Sequence, residues 1–288
     1  MEYALFIGCN IPARVPQYET SARAVLARCK VDVVDFPLFN CCGYPMRNAD
    51  RDAWLLSAAK NLALAEANEL EMLVLCKCCF GGLVHARRAL LEDADALARI
   101  NRQLAELGLS YTGKYAIRHL FTVLRDWVGE ATLKKLITAP LTGVKIAAHT
   151  GCHALRPSRI TQFDDPLAPK LMDGLLALAG AEPLDWQEKL ACCGAPQLGI
   201  NDDLARSAMT RKVKGAKAAG ADFLATGCPY CQLQFDVVQT QAVQGNGSKP
   251  LPSLVLPQVL ALAMGADVAE AGLSLHNVPA EGLLSFRK

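Results

Sequence analysis

The sequence predicts an α/β fold built as a duplication, with two domains that each hold a small parallel sheet flanked by helices. Three observations point there. Short apolar runs alternate with amphipathic stretches in each half of the 288 residues. The order of those segments repeats. Ten of the twelve cysteines fall into two matching sets of five, spaced alike along that order.

In the first half, Tyr3–Ile7 is a short apolar run of the kind that forms a buried parallel strand, and it ends at Gly8-Cys9. Pro12 and Pro16 mark a loop. Gln17–Cys29 has helical spacing. Val31–Val34 reads as a second strand and leads through Pro37 to Cys41-Cys42-Gly43. Asn48 is the expected N-cap of a long Ala/Leu-rich helix over Ala49–Glu69. Met72–Leu75 is a third strand that ends at Cys76, and a helix is expected over Phe80–Ala94. Ala98–Glu130 is helical in pattern, with breaks at Gly108 and Gly113.

The second half repeats the order. Val144–Ala148 is a strand before Gly151-Cys152, a helix over Pro169–Ala179 precedes Pro183-Leu184, and Cys192-Cys193-Gly194 follows. Asn201 caps a helix over Leu204–Ala219, and the strand Asp222–Ala225 ends at Gly227-Cys228. A helix runs on from Cys231, residues 244–250 read as a loop, and Ser253–Gly265 reads as an apolar helix before a loosely ordered tail. Cys9 and Cys152 are 143 residues apart, Cys41 and Cys192 are 151 apart, and Cys76 and Cys228 are 152 apart. Near-constant offsets after one insertion indicate an internal duplication. Ala139–Gly143 is the expected boundary, giving Rossmann-like domains over 1–140 and 141–288.

A formal charge of +2 excludes bulk attraction to nucleic acid or to an anionic membrane. No apolar run is long enough to span a bilayer, and no signal peptide precedes the first strand. A cytoplasmic location is therefore expected. Under reducing conditions, cysteines in this number are metal-binding or catalytic rather than disulfide-forming.

The sets are Cys9, Cys41, Cys42, Cys76, Cys79 and Cys152, Cys192, Cys193, Cys228, Cys231. Each cluster falls at or just beyond the carboxyl end of an expected strand, the edge where open α/β sheets bind ligands. The glycine after each Cys-Cys pair permits a sharp turn. A Cys-x-x-Cys at a helix start is expected to lower thiol pKa through the helix N-terminus. Thiolate donors select iron–sulfur clusters, zinc or Cu(I). Structural zinc and ordinary cubane clusters take four cysteines, so five per set favours an unusual iron–sulfur cluster, with zinc or buried thiols as the alternative.

Gly8-Cys9, Asn40-Cys41-Cys42-Gly43, Gly151-Cys152-His153, Cys192-Cys193-Gly194-Ala195-Pro196, Cys228-Pro229-Tyr230-Cys231 and Pro257–Ala263 resemble the B-subunit family of heterodisulfide reductase, which carries two Cys-Cys-Gly motifs. The likeness extends over nearly the whole chain. It implies that each set of five cysteines holds a noncubane [4Fe–4S] cluster, and that the clusters face each other with the disulfide substrate between them. It also implies electron supply from a separate ferredoxin-like polypeptide, with a flavin-containing polypeptide as a further member of the complex. The implied substrate is the coenzyme M–coenzyme B heterodisulfide or, in the bacterial sulfur-oxidising branch, a thiol or disulfide on a lipoate-bearing carrier. A non-catalytic electron-transfer or zinc-stabilised assembly protein is the alternative.

Two features depart from the family pattern. Cys78 is an extra thiol inside Cys76-Lys77-Cys78-Cys79, either a spectator or an alternate ligand, and only 33 residues separate Cys42 from Cys76. The clusters themselves would be catalytic, with His153 as the candidate to assist. Arg14, Arg47, Lys77, Arg156 and Arg159 lie near the motif cysteines in sequence and could line an anion channel. Cys29, His85 and His119 read as structural.

Overall fold

A computed structural model describes residues 2–243 and 249–288. The first sheet contains β1 (Glu2–Phe6), β2 (Asp32–Asp35), β3 (Glu71–Val74) and β4 (Ile117–His119). It is parallel throughout, in the order β2-β1-β3-β4, with Ala4 opposite both Val34 and Met72. The second contains β5 (Lys145–Ala148), β6 (Glu182–Pro183), β7 (Phe223–Thr226) and β8 (Ser253–Val255), in the matching order β6-β5-β7-β8. The four inner strands, β1, β3, β5 and β7, are buried on both faces beyond their first residues, as a sheet covered by helices requires.

The helices in the sequence before β5 are α1 (Asn10–Arg14), α2 (Pro16–Arg28), α3 (Arg51–Ala67), α4 (Lys77–Glu92), α5 (Ala94–Ala105), α6 (Leu120–Val123) and α7 (Glu130–Leu136). After β5 come α8 (Ser158–Thr161), α9 (Leu171–Leu178), α10 (Asp202–Ala218), α11 (Pro229–Leu233), α12 (Gln239–Val243) and α13 (Leu256–Ala263). Single π-helical turns follow α6 and α11, at Leu124–Val128 and Gln234–Val238. Among the described residues, no helix is long and apolar enough to cross a membrane.

The chain folds into two compact units, neither continuous in sequence. The first unit is Met1–Cys9, Val31–Val123 and His153–Pro166. Its sheet carries α3 and α4, with α5 packed against both helices and α8 against α4. The second unit is Asn10–Lys30, Leu124–Cys152 and Leu167–Lys288. There α2 packs along α13, and the Tyr18 hydroxyl donates to the Gly227 carbonyl at 3.1 Å.

Several expectations shift. Asn48 does not cap the long helix of the first half. Asp50 does, with its carboxylate accepting from the Ala53 amide at 2.9 Å. Asn201 caps α10 as expected, accepting from Leu204 at 3.0 Å. The two caps are then 151 residues apart, the same offset as the Cys-Cys pairs. A fourth strand in each sheet was not expected. In the first unit, β4 is three residues long and lies inside the stretch whose pattern reads as helical; pairing with β3 and the Arg118–Glu71 ion pair hold it extended. In the second unit, the apolar run from Ser253 starts as β8 and turns helical only at Leu256. Of the loop expected over 244–250, residues 244–248 lie outside the described residues.

The tail is packed rather than loose. Leu273, Val278 and Leu283 are buried, and the buried Asp236 carboxylate accepts from the Asn277 and Val278 amides and the Asn277 side chain at 2.8–3.1 Å. Local sequence carries no sign of this, because the partner carboxylate lies 41 residues upstream.

The turns after β2 and β6 need glycine. Gly43 and its counterpart Gly194 have φ of +77° and +87°. A Cβ on either would stand 2.8 or 2.6 Å from a helix carbonyl, Trp54 O or Ala205 O. These contacts set the cost of changing them. Asp236→Ala strands the buried Val278 amide and removes the acceptor of two donors on the exposed Asn277, and is expected to cost about 2 kcal/mol in a denaturant titration. Gly43→Ala combines left-handed strain with a backbone clash and is expected to lower stability by at least about 2 kcal/mol; an unchanged melting curve would contradict the turn geometry.

Candidate functional site

Each sheet directs three loops to its carboxyl edge, and the cysteines ride on those loops. In the first unit Cys9 follows β1, Cys41 and Cys42 follow β2, and Cys76 follows β3 as the N-cap of α4. Cys79 sits one turn into α4. The five thiols form a connected run. Cys9 Sγ donates to Cys41 Sγ at 4.0 Å, Cys41 is hydrogen-bonded to Cys42, Cys42 to Cys79, and Cys79 to Cys76. The second unit repeats the run in the order Cys152, Cys192, Cys193, Cys231, Cys228.

Electrostatics is matched between the sets. Cys41 is pulled down to about 2 by thiol donation from Cys42 and Cys9, assisted by the backbone amides of Gly43 and Cys42. Cys192 reaches the same value through Cys152 and Cys193. Their neighbours move the other way. Cys42 and Cys193 are pushed up to about 12, each by donating to the adjacent thiolate. Cys79 and Cys231 are raised far above the usual thiol range by bonds to the neighbouring sulfurs and by burial. The expectation that the helix start lowers these two thiols therefore fails, because sulfur neighbours and desolvation outweigh the helix end.

Such a set stabilises one thiolate readily and resists each further ionisation. Five thiolates in that space need a multiply charged, sulfur-seeking cation. All twelve cysteines are free, and none closes a disulfide. Room is also shaped for sulfur: a Cβ on Gly8 would come within 2.9 Å of Cys79 Sγ. The donor set thus fits an iron–sulfur group, and the ten motif cysteines are the residues that could hold one.

Cys78 stands apart from the run. Its sulfur meets His153 Nδ1 at 3.2 Å, and His153 Nε2 meets the Tyr44 hydroxyl at 2.5 Å. His153 follows Cys152 in sequence but belongs to the first unit. His149, to which the sequence assigned no role, is buried in the second unit with Nε2 at 3.2 Å from Cys231 Sγ. Its ligand atom lies within 4.8 Å of the Cys193 and Cys231 sulfurs. Duplication hid it, since the position 143 residues earlier is Phe6.

The five basic residues do not behave as a group. Lys77 is buried, with its ammonium over the rings of Phe121 and Phe163, and Arg47 lies over Trp54. Arg14, Arg156 and Arg159 are exposed. Cys29 is partly buried at the end of α2, raised to about 11 by burial. His119 packs edge-on against Phe80, Phe121 and Phe163.

The family model for the cysteine-rich domain CCG matches residues 3–84 and 146–236. Over 281 residues the chain is 33% identical to the B subunit of ferredoxin:CoB-CoM heterodisulfide reductase of Methanosarcina mazei, covering 96% of this chain and 93% of that one. It is 32% identical over 279 residues to the 8-methylmenaquinol:fumarate reductase membrane anchor subunit of Wolinella succinogenes, covering 96% of each. Among solved structures, a hypothetical protein from Helicobacter pylori superposes with a TM-score of 0.76 at 20% identity. That match covers 97% of this chain and 52% of the other, so the chain spans about half its length, and the likeness speaks for the fold. Two matched segments, each bearing a complete cysteine set, and full-length relatives at this identity show that the chain belongs to the B-subunit family of heterodisulfide reductase, within the CCG proteins.

Proposed function

We propose that this chain is the thiol–disulfide redox component of a heterodisulfide-reductase-like complex, with one [4Fe–4S] cluster, of noncubane type, held by each set of five cysteines. The observation that carries the reading is the duplicated run of five free thiols, linked sulfur to sulfur at the carboxyl edge of each sheet. The relatives support the reaction class, since several are named as components of heterodisulfide reductase. When bound, the clusters would supply the electrons and a sulfur-binding iron. Reductive cleavage of a disulfide consumes two electrons and two protons and yields two thiols. A separate ferredoxin-like polypeptide, fed by a flavin-containing one, is the proposed electron source. The substrate class is a small heterodisulfide or a lipoyl disulfide on a carrier protein.

The chain's own residues do the holding. Cys9, Cys41, Cys42, Cys76 and Cys79 serve the first set; Cys152, Cys192, Cys193, Cys228 and Cys231 serve the second. Cys78 is assigned outside the ligand set, because its sulfur is engaged by His153. His153, gripped at both ring nitrogens, is the residue proposed to assist by passing a proton between the Tyr44 hydroxyl and the Cys78 thiol.

One observation favours a second reading, electron transfer without disulfide chemistry: the Wolinella succinogenes relative is named as part of a fumarate reductase. Reoxidation separates the two. After anaerobic purification and reduction, one added disulfide is expected to reoxidise two electron equivalents and release two thiols; reoxidation by a quinone but by no disulfide supports the second reading.

Metal content tests the cofactor. Iron with acid-labile sulfide is expected, whereas zinc without sulfide in both sets would overturn the cluster assignment. Cys193→Ser is expected to remove about half of the iron and sulfide, since one of two sets is broken. Cys78→Ser is expected to retain the wild-type iron content; a comparable loss there would make Cys78 a ligand.

A further inference from the structure

Helices α3 and α10 are the same length and follow the two Cys-Cys-Gly turns at the same distance. Their residues correspond at an offset of 151, from the caps Asp50 and Asn201 onward. One buried polar position inside these helices differs in charge. It is Asn61 in α3 and Lys212 in α10, both fully buried.

Both side chains grip the loop that carries the adjacent cysteines. Asn61 Oδ1 accepts from the Asn40 amide at 2.8 Å, and its Nδ2 donates to the Cys41 carbonyl at 3.1 Å. Lys212 Nζ donates to the Ala191 carbonyl at 3.0 Å and also to the Glu188 carbonyl. Asn40 and Ala191 are the counterparts immediately before the Cys-Cys pairs. The duplication has kept the clamp and changed its charge.

The change is costly unless something compensates it. A buried ammonium loses its hydration, and two neutral carbonyls restore only part of that loss. The Trp186 ring lies 4.6 Å from Nζ and adds a cation–π contact. The remaining compensation is anionic: burial lowers the lysine pKa to about 8, and Cys231, Cys193, the Glu188 carboxylate and Cys192 oppose that fall. Burial keeps that attraction from being screened by salt. The first unit also buries an ammonium, Lys77, but it reaches out from α4 and stacks over Phe121 and Phe163.

We infer that Lys212 is a charged positioning residue for the second cysteine set: it clamps the Ala191–Cys193 loop and its ammonium favours the more negative, reduced form of the group held there. The inference rests on the iron–sulfur reading above. Adding an electron adds negative charge, and net charge and hydrogen bonding around the sulfurs are what set a cluster's potential. Asn61 performs the same clamping without the charge.

The test is an anaerobic redox titration of the full chain followed by electron paramagnetic resonance, with iron and sulfide measured on the same samples. Wild type, Lys212→Gln and Lys212→Arg are compared. With full iron in all three, Lys212→Gln is expected to shift one of the two reduction waves to lower potential and leave the other in place, and Lys212→Arg is expected to restore it. An unshifted wave in Lys212→Gln overturns the inference, as does an equal shift in both variants. If Lys212→Gln sheds the second set's iron, a loaded Lys212→Arg with wild-type potential supports the need for charge; loss of iron from both shows packing alone and overturns it. A wild-type chain that takes up no iron and sulfide fails the cluster reading itself, before any variant is made.

Discussion

The rest of the structure depends on holding five sulfurs close together at one edge of each sheet. Sulfurs this close share protons rather than ionise together, and the opposed shifts of Cys41 and Cys42, or of Cys192 and Cys193, come from one thiol donating to its neighbour's thiolate. A chain can sustain such an arrangement only if rigid elements fix the loops. Here those elements are the parallel strands behind the cysteines and the helices in front of them.

The turn after each Cys-Cys pair shows how tightly the parts interlock. The glycine lets the chain reverse with left-handed φ, and it also lets the turn press against the carbonyls of the following helix. That same helix returns a buried side chain, Asn61 or Lys212, to the loop from the other side. Loop, turn and helix are therefore one mechanical unit, which explains why the duplication has preserved their spacing at a constant 151 residues while the segment after the first cysteine changed length.

Much of this was legible in the residues. Strands ending at cysteines, the helix after each Cys-Cys-Gly turn and the pairing of the two halves all followed from apolar runs and spacing. The cap at Asp50 was missed because Asn48 is an equally good capping residue two positions earlier, and only the packing of the turn decides between them. The fourth strands were missed for a related reason. Ile117–His119 and Ser253–Val255 are too short to declare a period, and pairing with β3 and β7 makes them extended. The ordered tail was invisible because it hangs on Asp236, far upstream.

By itself, the sequence determined the duplication, the parallel α/β class, the two cysteine sets and the family, since each is a matter of residue type and spacing along the chain. Only the tertiary structure decided which neighbours those cysteines have. It set Cys78 against His153, brought His149 to Cys231, and turned Lys212 inward to the loop before Cys192. The physical reason is that ligand number is written in composition, whereas the charge and hydrogen bonds around a sulfur come from residues distant in sequence, and folding alone makes them neighbours.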